Sequence, residues 1–366
     1  MAAGLGANPE IKARTADGRV LADAPVDLAG RSFHEAALAA IVDILDQATE
    51  GAPVVGVGHR IVHGGSRHVA STKIDDALVS ELTDLAPLAP LHQPHNLAGV
   101  AASRRLFPAA VQVACFDTAF HRTQDKLNDC YALPRRFYEE GIRRYGFHGL
   151  SYSYVIRELA RLDAPAARGR VVIAHLGNGA SMCALRGGRA VATTMGFSPL
   201  DGLAMGTRTG RIDPSVVFYL ARQGMALDAI EDILYRQSGL KGLSGLTSDM
   251  RTLEAAGTPE AEEAIGYFVQ TIRRELGGLA ADLGGLEMLV FTGGIGENSW
   301  RIRERAAETL DWLGIRLDRR LNRQGAPVVS IPRSRVTVRV VPTNEEAYIA
   351  GEVVRFLPAA EARIAS

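Results

Sequence analysis

The chain has 366 residues, 47% hydrophobic and 22% charged, and its 41 basic and 41 acidic side chains cancel. That length exceeds what one hydrophobic core usually organises, so two domains are expected. Zero net charge supplies no global field for nucleic acid or an anionic membrane, so any anion site must be local. Cys115, Cys130 and Cys183 are widely spaced and form no CxxC pair that would suggest zinc; they fit a reduced, cytoplasmic compartment. The first residues lack the basic and apolar regions of a secretory signal, and no apolar run approaches the roughly 18 residues of a membrane span.

Apolar residues at helical spacing, Leu38, Ile41, Val42 and Leu45, predict a helix over 34–48. Pro53 to Val62 reads as a strand, 76–86 and 94–107 as helices, and Ala109 to Phe116 as the next strand. A helix over 151–162 leads to a strand at 170–175, and Ser181 to Thr194 reads as a hairpin turning at Gly187-Gly188. Helices dominate 214–284. They are followed by a strand at 288–292, a helix near 299–313, a strand at 335–341 and a helix at 344–357. Alternating βα units predict an α/β architecture with largely parallel sheets. The domain junction is expected just after Asp117, where a buried strand gives way to polar residues.

Two glycine-rich loops each follow a short apolar run. Val171-Val172-Ile173-Ala174 leads into His175-Leu176-Gly177-Asn178-Gly179, and Met288-Leu289-Val290-Phe291-Thr292 leads into Gly293-Gly294-Ile295-Gly296-Glu297-Asn298. Strand followed by glycine turn is how an α/β fold brings bare backbone N–H groups to a phosphate. Two such loops more than a hundred residues apart point to a nucleotide clamped between two lobes, and so to phosphoryl transfer.

Other residues stand out with two readings each. Arg60, beside Ile61 and Val62, is costly to bury unless it meets an anion, or it forms a structural ion pair. Asp117 ends a buried strand, where open α/β sheets keep ligand-binding groups, or it caps a helix. His148 sits between glycines in Tyr145-Gly146-Phe147-His148-Gly149 just before a helix, although a lone histidine is more often structural. Arg208 lies in a tight loop, Gly206 to Pro214, in which Arg211 reads equally well as a surface charge. Ser248-Asp249-Met250-Arg251 is a further polar turn, and Glu345 opens a helix after a proline turn, where an acid also caps.

Together these segments resemble one family closely, the acetate and propionate kinases of the actin/hexokinase superfamily. The matching stretches are GHRIVHGG at 58–65, APLHQPHN at 89–96, FDTAFH at 116–121, RRYGFHG at 143–149, HLGNGAS at 175–181, MGTRTGRIDP at 205–214, FTGGIGEN at 291–298 and PTNEEA at 342–347. The resemblance implies a two-domain α/β fold of the actin/hexokinase (ribonuclease H-like) type, duplicated, with the nucleotide in the interdomain cleft. It implies a first domain of 1–117 completed by 345–366, and a second of 118–344. It further implies a cytoplasmic homodimer that transfers the γ-phosphoryl group of ATP to acetate, with propionate as the alternative acceptor, aided by Mg²⁺ or Mn²⁺.

By position, Arg60 and Arg208 match the arginines that hold carboxylate and phosphoryl group, His148 the transition-state histidine, and Asp117 the essential acid. Val62, Leu91, Phe147 and Pro199 match the acyl pocket. His175 to Gly179, Asp249 to Arg251 and Gly293 to Glu297 match nucleotide loops, and Glu345 matches the magnesium-associated glutamate. The chemistry agrees: a carboxylate with pKa near 4 is ionised at neutral pH and needs no general base. The barrier is the approach of an anion to a polyanion, which calls for fixed cations and donors.

Two departures carry expectations. Nothing in residues 1–30 matches the family's opening Asn-x-Gly-Ser-Ser-Ser strand, which implies a weakened phosphate side and little activity unless that strand is restored. Tyr152 stands where many members carry a histidine; it can donate a hydrogen bond but cannot be cationic.

Overall fold

Runs of β-branched and other apolar residues bounded by glycine or proline become the buried strands. The computed structural model describes residues 2–3, 10–14, 19–26, 33–48, 51–90 and 92–358. The chain forms two compact units, one of Met1–His63, Ser71–Cys115 and Ile349–Ser366, the other of Gly64–Ala70 and Phe116–Tyr348. Asp117 thus lies on the second unit, and the helix Glu345–Val354 carries the chain back into the first.

In the first unit, β1 (Ala2–Ala3), β2 (Glu10–Arg14) and β3 (Val20–Pro25) form an antiparallel sheet in that order. Sequence periodicity did not reveal this sheet, because its apolar signal is thin: Ile11 is buried but Val20 is exposed. Ile11, Val26 and Ala36 make a small core beside the helix Phe33–Ala48. A second sheet has the order β4 (Gly56–Ile61), β6 (Val111–Phe116), β5 (Thr72–Lys73), with β5 antiparallel to β6. The helix Asp76–Asp84 starts where the Asp75 carboxylate accepts from the Leu78 N–H at 2.8 Å, an ordinary N-cap. Gly58 of β4 lies so close to Ile349 and Val353 that any side chain there would collide with them. The described part of the C-terminal segment is thereby packed onto this sheet; residues 359–366 lie outside the described residues.

The second unit is built on a five-stranded sheet of order β11-β10-β7-β8-β9, where β7 is Arg170–Leu176, β8 Ala180–Arg186, β9 Arg189–Thr193, β10 Met288–Thr292 and β11 Thr337–Val340. The expectation of largely parallel sheets is corrected here. β7, β10 and β11 run parallel, but β8 and β9 are antiparallel to their neighbours. The physical reason is turn length: the tight turns at Gly177–Gly179 and Gly187-Gly188 can join only antiparallel strands, since a parallel crossover needs a dozen residues or more. Val171 and Ile173 pack with Tyr152, Val155 and Leu159 of the helix Gly149–Leu162 in one fully buried cluster. Each such side chain contributes roughly 1.5–3 kcal/mol by leaving water. The long helix Pro259–Asp282 also packs against β7, β8 and β9.

Register fixes the site. Thr292 lies beside His175 and Phe291 beside Ala174, while Phe291 also pairs with Val340. The loops after β7, β10 and β11 therefore leave the sheet along one edge, at the carboxyl ends of three parallel strands. Among the described residues, no helix is long and apolar enough to cross a membrane.

Candidate active site

At that edge the first glycine-rich loop is a tight turn, closed by the Gly177 N–H donating to the Gly179 carbonyl at 3.0 Å. The Asn178 carbonyl accepts from the Gly206 N–H at 2.9 Å, which ties this turn to the loop carrying Arg208. A Cβ on Gly206 would collide with Asn178 Oδ1. One guanidinium nitrogen of Arg208 donates to the Pro199 carbonyl at 3.2 Å, so Arg208 and Pro199 are neighbours.

His148 is held in an uncommon way. Its φ is +58°, and among the described residues it alone, apart from glycines, has a positive value. A non-glycine residue in this region costs free energy, and such strain clusters at functional sites. The surroundings hold it there. Gly149 donates its N–H to the Asp117 carbonyl at 2.9 Å, and a side chain on Gly149 would strike that carbonyl. The Phe147 carbonyl accepts from His121 Nε2 at 2.9 Å. Arg122 donates to the carbonyls of Arg144 and Tyr145, both at 2.9 Å, while Asp129 lies 3.6 Å from both Arg122 and Arg143. Arg122, held by Asp129, thus braces the backbone of the RRYGFHG stretch that presents the histidine.

The His148 ring meets Ser181 Oγ with Nδ1 at 2.8 Å and stacks on His175 with centroids 4.3 Å apart. Its Nε2 faces Gly179. A Cβ placed on that glycine would stand 3.2 Å from Nε2 and 3.7 Å from Arg208 Nη1. The bare face of Gly179 is therefore shared by an imidazole and a guanidinium, a combination suited to an anionic oxygen. His175 in turn meets Ser151 Oγ at 2.8 Å, and Ser151 meets Thr343 Oγ1 at 2.9 Å.

Beside this lies a cavity of about 600 Å³ lined by Gly177, Asn178, Ser248, Asp249, Met250, Arg251, Glu254, Gly294, Ile295, Asn298 and Ser299. Its size suits a nucleoside. Of the residues expected at the nucleotide, seven line it: Gly177, Asn178, Asp249, Met250, Arg251, Gly294 and Ile295. His175 and Gly179 lie at His148, and the other four stand behind the wall. Leu176 is fully buried. Gly293 and Gly296 pack on the Leu176 backbone and side chain, and Gly293 has a φ of +78° that suits glycine. Glu297 accepts from the Gly293 N–H at 2.8 Å and the Thr343 N–H at 3.0 Å, joining the loops after β10 and β11. Asp249 accepts from the Thr252 N–H at 2.9 Å as an N-cap, and that bond holds its carboxyl below the usual carboxylate range. Sequence reasoning did not single out Glu254 or Ser299, which bond each other across the cavity wall, because neither lies in a glycine turn.

Several readings are settled by burial and capping. The second glycine-rich loop is not a loop: Gly293–Asn298 is a short helix. The buried Arg303 holds its C-terminal end, donating to the carbonyls of Gly296 and Glu297 at 2.8 Å and to Asn322. Arg60 is exposed on β4, so the premise of a buried arginine seeking an anion does not hold. Asp117 is 1% exposed and is not the helix cap; the following 3₁₀ turn is capped at Thr118. Asn344, with its side-chain oxygen 2.9 Å from the Ala347 N–H, caps the helix that Glu345 begins. Arg211 pairs with Glu275 at 3.6 Å and is largely exposed, as a surface charge would be. Val62 is buried in the first unit and Phe147 and Pro199 in the second, while Leu91 lies outside the described residues.

The sequence profile of the Acetokinase family matches residues 18–351. The chain belongs to the acetokinase family. It is 56% identical to an acetate kinase of Methylocella silvestris over 89% of this chain and 81% of that one. Among solved structures, a propionate kinase from Francisella tularensis superposes with a TM-score of 0.90 at 33% identity, covering 98% of this chain and 92% of that one. The acetate kinase of Porphyromonas gingivalis does so with a TM-score of 0.87 at 36% identity, covering 97% and 92%. The mixed α/β architecture is thus the acetokinase form of the actin/hexokinase-like fold.

Proposed function

We propose that this chain is an acetate kinase, catalysing the reversible, Mg²⁺-dependent transfer of the ATP γ-phosphoryl group to acetate to give acetyl phosphate and ADP. The supporting observation is the pairing of His148 Nε2 and Arg208 on the bare face of Gly179, next to the cavity at Gly177 and Asn178. A carboxylate nucleophile arrives already charged, so the site's task is to bind and align anions rather than to remove a proton. In this reading Arg208 and His148 donate to the phosphoryl oxygens as charge spreads over them, Asp117 acts beside the reacting centre, and Arg60 holds the carboxylate. The acyl methyl group is assigned to Val62, Leu91, Phe147 and Pro199, and the nucleotide to the loops at 175–179, 249–251 and 293–297.

Among the described residues, no group of three or more His, Cys, Asp or Glu side chains could hold a metal ion. Mg²⁺ keeps waters and substrate phosphates as ligands and takes only one or two carboxylates from a protein, so it needs no such group. We assign Glu345 to it, since Asn344 already does the capping; the ion, when bound with ATP, neutralises phosphate charge. We also assign the chain to the cytoplasm and to a homodimer, whose contact would cover the exposed Val216, Phe218, Tyr219 and Leu227.

The test is an acyl hydroxamate assay with ATP and either acetate or propionate. Acetate is expected to be the better substrate, with propionate slower but used, because one methylene discriminates by only about 1–3 kcal/mol. A higher kcat/KM on propionate would favour the second reading, a propionate kinase, which the Francisella tularensis neighbour keeps in play.

A further inference from the structure

Tyr152 was set aside above because it cannot be cationic, yet it is fully buried one helical turn after His148, and among the described residues its hydroxyl has one hydrogen-bond partner. That partner is Ser181 Oγ at 2.5 Å, and Ser181 Oγ is also the partner of His148 Nδ1 at 2.8 Å. Phenol, hydroxyl and imidazole thus form one chain, Tyr152–Ser181–His148, that ends on the ring whose other nitrogen faces Gly179. Around the phenol stand Phe120 and His121 at 5.9 and 5.6 Å between ring centroids, and Cys183 of β8 belongs to the same core cluster.

The chain can be filled with protons in only a few ways. Tyr152 and Ser181 bring one O–H each, and burial raises the phenol pKa so that its proton stays on. If Tyr152 donates to Ser181 and Ser181 donates to Nδ1, both protons have acceptors. If Nδ1 carries a proton and donates to Ser181, then either the Ser181 proton or the Tyr152 proton is left without an acceptor among the described residues of a fully buried core, which is costly. The first arrangement leaves Nδ1 bare. A neutral ring then carries its proton on Nε2.

We infer that Tyr152 is a positioning residue that, through Ser181, sets the direction of this hydrogen-bond chain and holds His148 as the neutral Nε2–H tautomer. The nitrogen facing Gly179 is then an obligatory donor, the role a phosphoryl oxygen needs; a bare Nε2 would repel it. Outer partners of metal-ligating histidines change activity by about 10- to 100-fold when removed, and a loss at the low end of that range is expected for this chain. The inference rests on the acetate kinase reading only for the identity of the oxygen that Nε2–H meets.

The test is a double-mutant cycle on Tyr152→Phe and Ser181→Ala, read by kcat and by the ¹⁵N shifts of the His148 ring in the full-length chain. In the wild type the shifts are expected to report an unprotonated Nδ1 and a protonated Nε2. Tyr152→Phe, which deletes only the hydroxyl, should mix the two tautomers and lower kcat about 10-fold while KM for ATP and for acetate stays within about twofold. Adding Tyr152→Phe to Ser181→Ala should change neither readout further, because the phenol acts through the serine. Fully additive losses would mean that Tyr152 only packs, and the inference would fall. A protonated Nδ1 in the wild type would overturn it without any mutant and without turnover. An inactive chain with Nε2–H intact would instead sink the acetate kinase reading alone.

Discussion

His121 and His148 are both buried, both lie on the second unit, and they are joined through one peptide, yet the structure uses them in opposite ways. His121 spends both nitrogens on the core. Its Nε2–H donates to the Phe147 carbonyl at 2.9 Å, and Nδ1 lies 3.9 Å from the Cys183 thiol, whose proton burial retains. Desolvation drives its pKa down to about 3, so it is neutral at neutral pH. His148 spends one nitrogen on Ser181 and turns the other toward a glycine that keeps space open beside Arg208. Burial of a histidine near a site therefore says little by itself. On the proposed reading, what separates the catalytic imidazole from the structural one is what its second nitrogen faces. The structural one still matters, since it pins the backbone immediately before His148.

The largest effects should come from the open face. Arg208→Ala and His148→Ala are each expected to lower kcat about 100- to 1,000-fold, the usual loss for one positioned donor, with the urea midpoint close to wild type. An equal kcat loss from His121→Gln at unchanged stability would erase the contrast. Filling the shared space is the next step down. Gly179→Ala is expected to lower kcat by up to about 100-fold by displacing His148 and Arg208. Gly187→Ala, at φ +62° with nothing within 4 Å of a Cβ, is its control. It should cost about 1–2 kcal/mol of stability and leave kcat alone.

The smallest and most specific effect concerns acid. A histidine whose folded pKa is depressed keeps the native state unprotonated while the unfolded chain takes up a proton. Stability is then lost as pH falls from the ordinary imidazole value of 6.5 toward about 3. The slope approaches roughly 1.4 kcal/mol per pH unit for one proton. His121→Gln should be less stable at pH 7, by about 1–3 kcal/mol for the disturbed buried partners. Its stability should nevertheless fall less steeply between pH 6.5 and 4 in urea titrations.

Much of this was legible from residue order. The helix at Phe33–Ala48, the strands around 171–174 and 288–292 and the hairpin at Gly187-Gly188 follow from apolar spacing and turn glycines, and the structure has them. Asn178, Arg208 and His148 were visible because glycine and polar residues interrupt apolar runs there. The remainder depended on distances that sequence does not encode. Ser181 looked like any hairpin residue until β8 brought it under His148. Glu297 sat in a nucleotide-like motif, but its carboxylate is bonded to the backbone of two loops. Arg60 had an apolar sequence context but lies on an exposed strand position. The β2–β3 hairpin leaves almost no periodic trace because, among the described residues of its strands, Ile11 is the one strongly buried side chain.

The six-residue helix Gly293–Asn298 is too short to hold itself together, and it floors the cavity through Gly294, Ile295 and Asn298. What keeps it is the Arg303 guanidinium, seated on the carbonyls of Gly296 and Glu297 and on Asn322. Burial lowers the pKa of that guanidinium to about 10, still leaving it charged at neutral pH. The floor of the cavity, the helix Trp300–Ala307 and the short helix Arg319–Arg323 that carries Asn322 are therefore expected to open together. In deuterium exchange they would report as one cooperative unit, slow for a surface segment, and ligand would tighten a platform that exists before it arrives.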